Sequence, residues 1–270
     1  MRYLPILMAP FLFVGCADGD ASQCANGGIN PEAGIVACSR LIERDRGDAA
    51  SLVNWHANRG QHRLRANHVE AAIRDFERAI ELKPEDAEVV VLRGIAYDMA
   101  SRREESLRDF DRAIVLAPGL FAGHMNRGKV LSETNRFREA LAAYDRAIAL
   151  NPDEWTARDG RCWVRAVLAE DLDGARTDCD FAVRGASGEG NPLNNRGLVN
   201  YRSKQYQAAI DDYTASIALA PAVASSYYVR GLAYRALGQH EAADDDMRKA
   251  LAIEPGIVDR YASYGVVGAR

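Results

Sequence analysis

The chain has 270 residues, 48% of them hydrophobic and 27% charged, with a formal net charge of -4. This is the composition of an ordinary folded protein and excludes a disordered one. The acidic balance offers no basic surface for nucleic acid or anionic lipid, so nucleic-acid binding is set aside. The length exceeds a usual domain of roughly 100 to 200 residues, which leaves two domains or one elongated array.

Residues 1–16 differ from the rest. Arg2 precedes an apolar run from Tyr3 to Val14, and after Gly15 and Cys16 the composition turns polar at Ala17, Asp18, Gly19 and Asp20. The pattern reads as an export signal too short to span a bilayer. Gly15-Cys16 resembles the end of a bacterial lipobox, which makes Cys16 the candidate lipidation site. Cleavage after Ala17 or Ala21 is the alternative. Either route predicts an exported chain, touching a membrane only through a lipid on Cys16. Residues 17–28 read as a polar tether, and residues 29–52 as an N-terminal capping helix opened by Asn30-Pro31-Glu32.

Besides Cys16 the cysteines are Cys24, Cys38, Cys162 and Cys179. An even number in an exporting compartment permits disulfides in three connectivities, with four buried thiols as the alternative. The local choice pairs Cys24 with Cys38 and Cys162 with Cys179.

The body of the chain repeats. Arg-Gly pairs fall at Arg59-Gly60, Arg93-Gly94, Arg127-Gly128, Arg196-Gly197 and Arg230-Gly231. Prolines follow the same ruler at Pro84, Pro118, Pro152, Pro221 and Pro255. Both series step by 34, 34, 69 and 34 residues, so one irregular unit of 35 lies in the middle. Units are set at 53–86, 87–120, 121–155, 156–189, 190–223 and 224–256, followed by a C-terminal cap and tail at 257–270. Small residues recur at position 20 (Ala72, Ser106, Ala140, Ala175, Ala209, Ala243). Position 24 is large in most units (Phe76, Phe110, Tyr144, Tyr213, Met247), with Cys179 the exception.

A period of 34 with these markers resembles the tetratricopeptide repeat, a helix-turn-helix unit. The resemblance covers about residues 53–257. It implies an all-α fold, a solenoid of six helix-turn-helix repeats in a right-handed superhelical array with capping helices at both ends. It also gives Gly60, Gly94, Gly128, Gly197 and Gly231 a structural role: the first-helix glycine packs closely on the second helix, as Gly60 would on Ala72. Glycine inside a helix costs about 1 kcal/mol relative to alanine, so a repeated one needs a compensating contact. Proline then ends the second helix.

Arginine replaces the family's leucine at position 7 in five units, and position 23 opposite is aspartate in all units but the third, which has Ala143. Pairs are expected between Arg59 and Asp75, Arg93 and Asp109, Arg196 and Asp212, and Arg230 and Asp246, each at a partly exposed site worth about 0.2–1 kcal/mol. In the fourth unit this register places Cys162 at position 7, Trp163 at 8 and Cys179 at 24, so that a disulfide substitutes for the missing glycine contact. Gly185 to Gly190 is a candidate hinge.

No motif for catalysis, metal or cofactor binding is present: His56, His62 and His68 are six apart and do not share a helical face, and there is no nucleophile elbow or phosphate-cradling loop. What remains is the concave surface that the resemblance assigns to first-helix positions 2, 5, 6, 9, 12 and 13. It includes Asn54, Asn58, Gln61, Arg65, Asn126, Lys129, Asn191, Asn194, Asn195 and Arg202. Amides there offer both donors and acceptors to the backbone of a bound peptide. The expected function is non-enzymatic: an envelope scaffold or adaptor that binds a protein or peptide in its groove. The alternative is a soluble periplasmic accessory subunit of an envelope enzyme or secretion system.

Overall fold

The computed structural model describes residues 19–26, 30–44, 48–186 and 188–267. The segment read as an export signal, with Cys16, lies outside them. Every regular element among the described residues is a helix: α1 (Gly19–Asn26), α2 (Pro31–Arg44), α3 (Ala49–Arg65), α4 (Val69–Leu82), α5 (Ala87–Met99), α6 (Arg103–Leu116), α7 (Phe121–Glu133), α8 (Phe137–Leu150), α9 (Trp155–Leu168), α10 (Leu172–Gly185), α11 (Gly190–Arg202), α12 (Tyr206–Leu219), α13 (Ala224–Ala236), α14 (His240–Ile253) and α15 (Ile257–Ser263). None of them is long and apolar enough to cross a membrane. The chain divides into two compact units, with the break after Val130 inside α7.

Local chemistry sets the helix ends. Asp48, Asp86 and Asp171 cap α3, α5 and α10 by accepting backbone N–H bonds with their side chains. Each first helix turns into the second through a residue with positive φ: Asn67, Ser101, Asn135, Ala169, Lys204 and Gly238. Second helices α4, α6, α8, α12 and α14 stop at a residue in extended backbone followed by proline, which disfavours helical geometry before it.

These turn residues correct the expected boundaries. They step by 34 except between Ala169 and Lys204, and Asp171 supplies a second positive φ in that same turn. The extra residue therefore lies in the hairpin turn of the fourth repeat, and not between repeats as the boundary 121–155 had it. Helix α9 begins at Trp155, so the fourth repeat starts one residue earlier than 156. Cys162 then stands at position 8 where other repeats have glycine, Arg161 takes the arginine position, and Trp163 moves to position 9, on the groove.

The N-terminal segment also differs from expectation. Within the stretch read as a tether, Gly19–Asn26 is helical and buries Cys24 against α2. The capping region is not one helix, because α2 ends at Arg44 and Asp48 starts α3 one turn before residue 53. Cys24 and Cys38 stand at disulfide separation, with Cα atoms 4.9 Å apart. His62 fills the space over Gly34 and its Nε2–H donates to the Cys24 carbonyl at 3.0 Å, while Nδ1 accepts from Arg65. A ring so bonded is neutral, and burial holds its pKa below the ordinary histidine value.

The repeat glycines pack on a different partner than position 20. A side chain at Gly60, Gly94 or Gly197 would strike the ring at position 24, Phe76, Phe110 or Tyr213 respectively. At Gly231 the nearest atom is from position 20, the Ala243 carbonyl oxygen, at 3.2 Å. The ring packs directly on the glycine, so the absent Cβ makes room for it. In the fourth repeat Cys162 and Cys179 occupy these same two positions, fully buried, with Cα atoms 5.5 Å apart. The sulfur pair thus replaces the glycine-ring contact. At the two ends of the candidate hinge, Gly185 packs against Trp155 and Gly190 against the Ser216 carbonyl.

Candidate functional site

All four expected arginine-aspartate pairs form within their hairpins. Arg59 reaches Asp75 at 2.7 Å, Arg93 reaches Asp109 at 2.7 Å, Arg196 reaches Asp212 at 2.6 Å and Arg230 reaches Asp246 at 2.7 Å. The corrected register reveals a fifth, Arg161 with Asp178 at 2.7 Å. The carboxylates are buried, not partly exposed. Three of the same arginines also reach the second helix of the preceding repeat, Arg161 to Asp145, Arg196 to Asp180 and Arg230 to the Thr214 hydroxyl, and Arg127, whose own hairpin has Ala143 in place of the aspartate, reaches Asp111. At Arg161, Arg196 and Arg230 one guanidinium therefore closes its own hairpin and staples it to the preceding one, a use that needs arginine's planar fork.

At Asp75 burial would raise the pKa, but hydrogen bonds from His56 and Arg59 and the charges of Arg59 and Arg63 outweigh it and hold the carboxyl below its usual range. Its stabilising effect is present above the unfolded pKa near 4 and is lost as pH falls through the folded value. A recess of about 320 Å³ between α10, α11 and α12 is lined by Arg176, Asp180, Arg196, Asn200, Asp211 and Asp212. Its charges largely satisfy one another, as Arg196 bridges Asp180 to Asp212 and Asn200 donates to Asp212.

The first-helix residues expected to line a groove are mostly engaged within the chain. Asn58, Gln61 and Asn126 are buried, and Asn126 donates to the Ala122 carbonyl one turn back. Lys129 pairs with Asp98 on the preceding first helix at 2.6 Å. Asn194 donates to Ser225 and Ser226 on the next, and Asn195 to Asp159 on the previous, at 2.9 Å. These amides tie adjacent repeats together. Asn54 and Asn191 are half-buried, and Arg65 is exposed.

Asp159 sits in the wall of this surface. Burial pushes its carboxyl up to about 7; the Asn195 hydrogen bond works against the shift and the charge of Glu189 adds to it. The folded chain therefore holds a proton that the unfolded chain releases, and stability falls as pH rises from about 4 to about 7, by at most about 1.4 kcal/mol per pH unit. Asp159→Asn, which keeps the acceptor for Asn195, is expected to raise Tm at pH 8 while leaving it nearly unchanged at pH 4. Thermal melts of both proteins across that range check it, and parallel curves would refute it.

Arg202 is not available to a partner in this structure. Its guanidinium donates to four carbonyls: Ala166 at 3.1 Å and Val167 at 2.9 Å in the last turn of α9, and Tyr264 at 2.5 Å and Gly265 at 2.9 Å just past α15. It caps two helix ends at once, satisfying carbonyls that lack intrahelical partners. Tyr201, one residue before, donates its hydroxyl to the Val267 carbonyl at 3.0 Å. Tyr264 packs edge-on against Phe137 and Trp163, both at 5.9 Å between ring centroids. Nothing in the sequence period signals this cluster; Trp163 at a groove position is its one visible trace.

Among the described residues no group of three or more His, Cys, Asp or Glu side chains is arranged to hold a metal ion. Models of the tetratricopeptide repeat match residues 58–120, 121–154 and 224–257. The chain is a tetratricopeptide repeat protein, built as an all-α solenoid. The class consists of protein-binding repeats. Comparison with curated proteins returned no match.

Solved structures share the fold at low identity. The Cut9-Hcn1 hetero-tetramer of the APC/C matches with TM-score 0.72 and 16% identity over 91% of this chain, which spans 47% of the Cut9-Hcn1 chain it matches. A tetratricopeptide repeat protein from Parabacteroides merdae matches with TM-score 0.66 and 14% identity, over 91% of this chain and 95% of that one. PilF of Pseudomonas aeruginosa matches with TM-score 0.65 and 15% identity, over 80% and 98% respectively.

Proposed function

We propose that this protein is a non-enzymatic scaffold of the bacterial envelope, exported by its N-terminal signal, tethered through a lipid on Cys16, and holding a protein or peptide partner on its first-helix surface. The observation that carries the binding half is the stacking of first helices within each unit, held by the Lys129-Asp98 contact in one and the Asn194-Ser226 contact in the other. A rigid surface loses little conformational freedom when a peptide binds. The envelope half rests on the apolar run ending at Gly15-Cys16. PilW, another solved structure of this fold (TM-score 0.65, 15% identity over 80% of this chain), is described as a type IV pilus biogenesis factor. It supplies a precedent for the architecture and leaves the partner open.

Detergent partitioning of the wild type and Cys16→Ser tests the tether. The wild type is expected in the detergent phase and the variant in the aqueous one. A wild type that remains aqueous would overturn the lipid anchor and favour the soluble periplasmic subunit.

A further inference from the structure

We propose that the segment Tyr261–Val267 is an internal occupant of the second unit's groove, and that the partner this groove takes is an uncharged peptide of the same chemistry. Such a peptide presents an aromatic side chain, then a residue that accepts positive φ, with its backbone carbonyls outward. The inference rests on the groove reading above.

The segment is seated as a ligand would be. Its ring, Tyr264, enters a socket whose walls are Phe137 from the start of α8 and Trp163 from α9, themselves 5.7 Å apart and edge-on. Edge-on aromatic pairs of this kind add specificity to the burial of the ring. Tyr261, Tyr264 and Tyr228 continue the aromatic contact toward α13, at 5.7 and 5.3 Å. The flanking backbone is read through its carbonyls: Arg202 takes Tyr264 and Gly265, and Tyr201 takes Val267. Residues 261–267 carry no charged side chain, and Tyr261 and Val266 are buried in the same core, so the groove selects for rings, a turn and an apolar residue after it.

The turn itself is demanding. Gly265 lies at φ +66°, Gly265 N–H bonds to the Ala262 carbonyl and Val266 N–H to the Tyr261 carbonyl, the double bond of a Schellman helix end. A substituted Gly265 meets no neighbour within 4 Å, so any effect comes from backbone strain and leaves the socket whole. The fourth repeat's departures fit this use: Cys162 takes the glycine position and Trp163 faces the tail. Held in cis, the segment competes at an effective concentration near mM, as expected for a short linker, and weakens a partner's apparent affinity by the fraction of time it is seated.

Fluorescence anisotropy with a fluorescein-labelled peptide of residues 261–267 tests this on the full chain. Tyr264→Ala and Gly265→Val are each expected to bind it at least tenfold tighter than the wild type. Adding Trp163→Ala to Gly265→Val is expected to abolish the gain. Circular dichroism confirms that each variant stays folded. Binding to the wild type as tight as to both variants would overturn the proposal, as would no binding to either folded variant, which would make the segment a fixed cap. The partitioning result does not bear on this titration, so the two readings fail separately.

Discussion

Asp178→Ala is expected to destabilise the second unit by about 3–5 kcal/mol, the cost of removing one partner from a buried ion pair. Asp178 is buried between α9 and α10, where Arg161, Arg165 and Arg158 all reach it. Removing it leaves three half-buried guanidinium groups with their mutual repulsion uncompensated. Asp244→Ala provides the contrast: its pair with Arg235 spans 2.7 Å, but both side chains are exposed, and a change of at most about 0.5 kcal/mol is expected. Urea unfolding of the two variants measures the difference. Equal and small losses would mean that the arginine ladder does not hold the hairpins together.

The second large effect belongs to the fourth repeat's sulfur pair. Cys162→Ala with Cys179→Ala is expected to cost about 3 kcal/mol, the unfolded-state constraint of a loop this short. Their sequence separation of 17 runs across both helices of one hairpin. Peptide mapping with and without reductant checks that the bond forms. The loss should appear in non-reducing urea melts and vanish when the wild type is melted in reductant. A double variant as stable as the oxidised wild type would show that the glycine-ring contact has no replacement here.

Much of the fold was legible because it is periodic. The ruler of 34 gave six hairpins, and a 16-residue spacing from arginine to aspartate marked four of the five ion pairs before any coordinates. The fifth was hidden by a register choice. The 69-residue gap from Pro152 to Pro221 requires one extra residue but does not say where. Asp145 and Asp178 flanking Arg161 at 16 and 17 residues would have located it, since an arginine that pairs both ways marks position 7. The glycine partner was misread because position 20 and position 24 face the same helix, and only the ring's reach decides between them.

The site was less legible than the fold. Asparagines on first helices were read as partner contacts, yet Asn194 and Asn195 bond to neighbouring repeats. A polar residue at a groove position faces either a ligand or the next repeat, and the sequence does not distinguish them. Arg202 was placed on the right surface, but its four carbonyl partners include two from a segment over sixty residues away. Such contacts leave no periodic trace. Helix α1 was missed because glycines and asparagines flank it, and only Cys24 marks its buried side.

Site-specific photo-crosslinking in the native envelope tests the central claim, that the first-helix surface is where this protein holds its partner. A photoreactive residue at Arg65 or Arg235, exposed on first helices, is compared with one at Arg78 or Lys249, exposed on second helices. The account predicts one discrete adduct from the first-helix positions, stronger from Arg235 when Gly265→Val frees the groove. Adducts from the second-helix positions alone would contradict it.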